Sequence, residues 1–112
     1  MALGTQGYAA TAYMANQTRT MSPTEVMLEL YDFAIAGCLA QDTRKASAAL
    51  VELIAALDFR YEEIATGLYR LYEFSLREVK AQRFEPAQRI LAELRETWRV
   101  ALRGHGSSGG EG

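Results

Sequence analysis

The side chains able to do chemistry are few, and their placement argues against catalysis. The single histidine, His105, stands in the run Gly104-His105-Gly106-Ser107-Ser108-Gly109-Gly110-Glu111-Gly112, where nothing holds an imidazole in place. The single cysteine, Cys38, has no histidine near it in sequence and falls among apolar residues. That setting fits a buried, inert thiol better than a nucleophile. Glu62 and Glu63 are adjacent, so on a helix they diverge by about 100° and cannot share a proton or a metal. No Cys/His set has metal-ligand spacing, and no Gly-rich phosphate loop follows a strand. The expectation is no enzyme, with no catalytic residue, no cofactor and no metal.

What remains is a set of apolar and aromatic residues placed for binding. Tyr13 lies ten residues ahead of Pro23. It is either a lid over a groove or a tyrosine of a tail with no such role. Val26, Leu30, Tyr31 and Ile35 share one side of a helix, where they form either a wall for a partner helix or plain core. Phe74 lies off the inner face of its own helix and is the best exposed-aromatic candidate. Asp32 pairs with a partner, caps a loop or stays solvated. Trp98 reads as core. Arg77, Lys80 and Arg83 make a basic helix end, which the helix dipole accounts for without a partner.

The elements that position these residues are helices. Ser22-Pro23-Thr24-Glu25 is a start signal: an N-cap serine, a proline at the first helical position and a capping-box glutamate. Helix one runs from Pro23 to Leu39. At about 100° per residue, Val26, Met27, Leu30, Tyr31, Phe33, Ala34, Ile35 and Cys38 cover roughly 200°. A helix facing one core needs a stripe of about 100° or somewhat more. The surplus must be covered by two neighbours or by a partner. Helix two spans about Thr43 to Leu57, with Asp42 as N-cap and Ala46, Leu50, Leu53, Ile54 and Leu57 on one face. Helix three spans about Tyr61 to Gln82, with Ile64, Leu68, Leu71, Tyr72, Ser75 and Val79 facing inward. Helix four runs from Pro86 to about Arg103, with Ala87, Ile90, Leu91, Leu94, Trp98 and Ala101 in a narrow stripe.

Nothing reads as strand. Short links force successive helices antiparallel, so the expected fold is all-α, an antiparallel up-down four-helix bundle. Residues 1–21 form a flexible N-terminal segment in this reading, residues 22–103 the bundle, and residues 104–112 a flexible Gly/Ser tail.

With 112 residues one domain is expected, and 49% hydrophobic residues argue against a wholly disordered chain. Lys plus Arg total 12 and Asp plus Glu 14, a net charge of −2 that gives no reason to expect nucleic acid. No apolar run approaches the roughly 20 residues a membrane helix needs, so no membrane insertion is expected. No secretory signal is visible, and one cysteine excludes an internal disulfide. A cytoplasmic location is the simplest reading.

Tyr13, then Ser22-Pro23, then a helix carrying Leu30-Tyr31-Asp32 and Ala34-Ile35 resembles the flagellin-binding export chaperones of flagella, the FliS family. Leu53-Ile54 with Leu57-Asp58 is similar to the end of that family's second helix. Ile64-Ala65, Leu68, Leu71-Tyr72 and Leu76 are similar to its third, and Glu93-Leu94-Arg95-Glu96 with Trp98 to its last. The chain departs from the pattern at Phe33, at Arg60-Tyr61-Glu62-Glu63 and at Glu73-Phe74-Ser75, and its Tyr31-to-Asp58 stretch is shorter. The resemblance implies a chaperone that binds the C-terminal segment of flagellin, keeps it from polymerising and passes it to the flagellar export apparatus. It makes Tyr13, Val26, Leu30, Tyr31, Ile35 and Phe74 the expected partner-binding residues, with Tyr13 as a displaceable lid. A possible homodimer in the unliganded protein goes with it. The alternative is a structural homo-oligomer whose spare apolar face serves self-association.

Overall fold

A computed structural model of the chain describes residues 21–111, with side chains over residues 21–103. Four helices follow one another: α1 (Pro23–Leu39), α2 (Thr43–Ala55), α3 (Glu62–Lys80) and α4 (Phe84–Glu111), with no strand among the described residues. The fold is the expected four-helix bundle. Each helix packs on its neighbours in the order α1, α2, α3, α4 and back to α1.

Local chemistry starts and stops these helices. Ser22 Oγ accepts from the Glu25 amide at 3.1 Å, and Glu25 Oε1 accepts from the Ser22 amide at 2.8 Å, closing the capping box. Asp42 Oδ1 accepts from the Lys45 amide at 3.0 Å and starts α2. Two links share one design. After α1 the Asp42 amide donates to the Gly37 carbonyl and Gln41 sits at φ 55°; after α3 the Arg83 amide donates to the Glu78 carbonyl and Gln82 sits at φ 63°. Both are Schellman closures with glutamine where glycine is usual. They turn the chain tightly at one end of the bundle. The longer α2–α3 link lies at the other end, beside the start of α1.

The core is Tyr31, Ala34, Cys38, Ala46, Ala49, Leu50, Leu53, Tyr72, Val79, Ala87 and Leu91. Met27, Leu30, Phe33, Ile35, Leu68, Leu94 and Trp98 pack against it from partly buried positions. Small residues let α1 and α2 approach closely: a Cβ on Gly37 would stand 2.6 Å from the Ala46 backbone nitrogen.

Three differences from the sequence reading have physical causes. The wide apolar arc of α1 is covered by two neighbours, α2 and α4, so it leaves no groove of its own. On α3 the buried positions are Ala65, Tyr72, Ser75 and Val79, while Ile64 and Leu71 are exposed. The helix is rotated relative to the expected inner face, because Ala65, Leu68, Tyr72, Ser75 and Val79 alternate at three and four residues and set the seam. The helical backbone of α4 continues past Arg103 to Glu111, through the segment expected to be a Gly/Ser tail. Each glycine there costs about 1 kcal/mol relative to alanine. Once a helix is formed, however, extension adds one hydrogen bond per residue fixed, and the backbone follows that course.

Candidate functional site

The α2–α3 link carries a concavity that side chains of all four helices build. Asp58 Oδ1 accepts from the Arg60 amide at 3.0 Å, and the Arg60 guanidinium donates to the same carboxylate at 2.7 to 3.2 Å. The Tyr61 amide donates to the Asp58 carbonyl at 3.1 Å. This Asx-type turn fixes the link without glycine. The hydrogen bonds from Arg60 hold the Asp58 carboxyl below the usual carboxylate range.

The clasp presents Leu57 and Tyr61 at the rim of an apolar groove of about 250 Å³. Met27 comes from the first turns of α1, Leu53 and Ala56 from the end of α2, Ile64, Ala65, Leu68 and Tyr72 from α3, and Trp98 from α4. Ile64 is 60% exposed and stands at the mouth. Asp58 is the sole charged residue among those lining it.

Behind the groove lies a buried hydrogen-bonded set. The hydroxyls of Tyr31 and Tyr72 are 2.5 Å apart, with the rings edge-on at a centroid distance of 6.1 Å. Trp98 Nε1 donates to Tyr31 Oη at 3.1 Å. Both tyrosines are sealed from water (0% and 2% exposed). Burial pushes the Tyr31 hydroxyl above its ordinary range against the opposing pull of its hydrogen bonds to Tyr72 and Trp98. Burial, then the bond to Tyr31, pushes Tyr72 up further. The pair therefore holds its protons and acts as a rigid floor.

The groove does not gather the expected partner-binding residues. Tyr31 is wholly inside, so it reaches a partner only through Tyr72 and Trp98; its hydroxyl needs those neighbours because an unpaired buried hydroxyl is costly. Leu30 and Ile35 pack from α1 onto the core, and Val26 is half-buried on the same helix without lining the groove. Phe74 is 37% exposed on α3, away from the groove. Tyr13 and the lid assigned to it lie outside the described residues. Asp32 is neither a cap nor simply solvated: Arg95 on α4 donates to it at 2.5 and 3.2 Å. Sequence reasoning left all eleven residues that line the groove out of the site, Met27, Leu57, Tyr61, Ile64 and Leu68 among them. A seven-residue count through Ala65, Tyr72 and Val79 was the signal, since it puts Ile64 beside the seam and not in it.

Cys38 is buried, and burial pushes its thiol up, away from reactivity. No cluster of three or more His, Cys, Asp or Glu that could hold a metal occurs among the described residues. No helix there is long and apolar enough to cross a membrane. What the groove can do is take up an apolar side chain or a short amphipathic segment.

Comparison with family models, with curated proteins and with solved structures finds no match for this chain.

Proposed function

We propose that this protein is a cytoplasmic export chaperone of the kind it resembles, holding the C-terminal segment of flagellin unpolymerised until the flagellar export apparatus takes it. The observation that carries the reading is the apolar groove at the open end of the bundle, floored by Tyr72 and Trp98 and edged by Leu57, Tyr61 and Ile64. An amphipathic segment laid there buries its apolar side chains against the lining while its polar face stays wet. Ordering such a segment consumes part of the interaction free energy, so the complex is reversible and releases by mass action without a nucleotide. The Tyr31–Tyr72–Trp98 set holds the floor in place, so little further ordering of the protein is needed on binding.

Calorimetric titration of the full chain with a flagellin C-terminal peptide tests the reading. Binding is expected, accompanied by a change in the emission of Trp98, the single tryptophan. Ile64→Ala should weaken it by about 1–3 kcal/mol, the hot-spot range. Absence of binding at high peptide concentration, or binding that Ile64→Ala leaves untouched, would overturn the assignment of the groove.

A further inference from the structure

Three hydrogen-bond donors meet behind the groove, and only two contacts take them up. Trp98 has one N–H, and Tyr31 and Tyr72 have one O–H each. Trp98 Nε1 donates to Tyr31 Oη at 3.1 Å, and the two hydroxyl oxygens stand 2.5 Å apart. Each contact uses one hydrogen, so one hydroxyl hydrogen is left over whichever tyrosine donates to the other. No further hydrogen bond to either hydroxyl occurs among the described residues. Ser75 Oγ, buried three residues along α3 from Tyr72, has no hydrogen-bond partner there, so it does not take that hydrogen.

The order of donation follows from what each tyrosine can reach. Tyr31 is wholly buried and does not line the groove, so a hydrogen left on it would stay unpaired, at the cost of a buried donor. Tyr72 does line the groove. A chain running from Trp98 to Tyr31 to Tyr72 lets each bond polarise the next, and it leaves the spare hydrogen on the residue that faces an occupant. Asp58 is the sole charged lining residue, and Arg60 already holds both of its carboxylate oxygens.

We infer that the groove selects a segment whose apolar face carries one uncharged acceptor side chain (serine, threonine, asparagine or glutamine), which takes the spare hydrogen of Tyr72. Water entering the open groove can serve that hydrogen until a partner arrives. A partner that expels the water without replacing its acceptor loses affinity. A carboxylate is a poor substitute, because no cation lines the groove to offset the cost of burying its charge. Tyr72 is thereby a specificity residue and not only part of the floor. The inference rests on the groove as the partner site and adds the chemistry of one position in that partner.

The test has two arms, each on the full chain and its Tyr72→Phe and Tyr31→Phe variants, with thermal melts to confirm folding. In the first, a flagellin C-terminal peptide is titrated with each uncharged polar residue replaced in turn by an apolar one of similar shape. One replacement should weaken binding ~3- to 10-fold in the unaltered chain and in Tyr31→Phe, which both keep the Tyr72 hydroxyl. The same replacement should cost less than about 2-fold in Tyr72→Phe, where the donor is gone. Both variants disturb the buried pair, so a purely structural role would show in both alike. In the second arm, acetophenone and α-methylstyrene, which differ by a carbonyl against a methylene, read the floor by NMR titration without flagellin. Tyr72→Phe should weaken the ketone ~3- to 10-fold relative to the hydrocarbon, and Tyr31→Phe should not. A flagellin peptide that fails to bind while the ketone still senses Tyr72 overturns the flagellin reading and leaves the donor standing. A peptide that binds with no replacement sensitive to Tyr72 overturns the inference. So do two small probes that Tyr72→Phe affects alike, or that do not bind.

Discussion

At the end of the bundle where Gln41 and Gln82 turn the chain, Gly37 of α1 lies against the Ala46 backbone of α2, with no room between them for even a methyl group. At the other end the Asp58–Arg60 clasp holds a longer link open, and large side chains from four helices surround a groove of about 250 Å³. The same α1 and α2 contribute to both ends. What differs is side-chain size: Gly37, Cys38, Ala46 and Ala49 close the first, whereas Met27, Leu53, Leu57 and Trp98 hold the second apart. Apolar surface is used up internally where small residues meet, and remains available to a partner where large ones meet across a turn.

The contrast is broken most severely at its floor. Tyr31→Ala removes a wholly buried ring and leaves Tyr72 Oη and Trp98 Nε1 without their partner. A loss of about 3–5 kcal/mol is expected from urea unfolding. Ile64→Ala, at the exposed mouth, should move stability by no more than about 0.5 kcal/mol. Similar losses from both would mean that floor and rim are not distinct.

Gly37→Val tests the closed end. Its Cβ would overlap the Ala46 nitrogen at 2.6 Å and its Cα at 2.8 Å, both backbone atoms that cannot rotate away. α1 and α2 must separate, at about 1–3 kcal/mol. Gly67→Ala, a glycine with open space over it, should instead stabilise by up to about 1 kcal/mol. Chemical denaturation of the two variants at low protein concentration gives both numbers.

The floor also has a signature in pH. Tyr31 and Tyr72 have raised values in the folded chain, so the folded state keeps protons that the unfolded chain gives up. Their contribution is fully present below the ordinary tyrosine pKa of about 10 and is lost as pH climbs above it toward the folded-state values. The urea midpoint should fall across the alkaline range from about pH 10 upward, and less steeply in Tyr31→Phe. Equal slopes in the two proteins would show that the buried pair is not the source.

The helices and their caps were legible because their causes are local. Ser22 reaches Glu25 and Asp42 reaches Lys45, each three residues on. The floor was not legible in the same way. Tyr31 meets Tyr72 forty-one residues later and Trp98 sixty-seven later, and Asp32 meets Arg95 across sixty-three. Nothing in the spacing along α1 chooses between two neighbouring helices and a partner as the cover of its arc. For α3 the information was present but misread by one position: an apolar count includes Ile64 and Leu71, whereas the seven-residue seam through Ala65, Tyr72 and Val79 excludes them. The groove followed from neither. It arises because the α2–α3 link is long enough to fold on itself, and its clasp depends on Asp58 and Arg60, two residues that by type alone read as surface.

The smallest effect sharpens the comparison at the closed end. Gln41 and Gln82 occupy the left-handed position of their Schellman turns, at φ 55° and 63°. A Cβ in that conformation costs roughly 1–2 kcal/mol relative to the right-handed region. Glycine removes the strain, but it also enlarges the unfolded ensemble, which takes back about 0.4–1 kcal/mol. The balance favours Gln41→Gly and Gln82→Gly by a few tenths to about 1 kcal/mol each. Because the two links lie in different helix pairs, the gains should add. Neither substitution touches the groove, so flagellin-peptide affinity should stay constant while the urea midpoint rises. A rise in stability that comes with weakened binding would mean that the two ends are coupled through α1 and α4. The open end would then draw its shape from strain at the closed one.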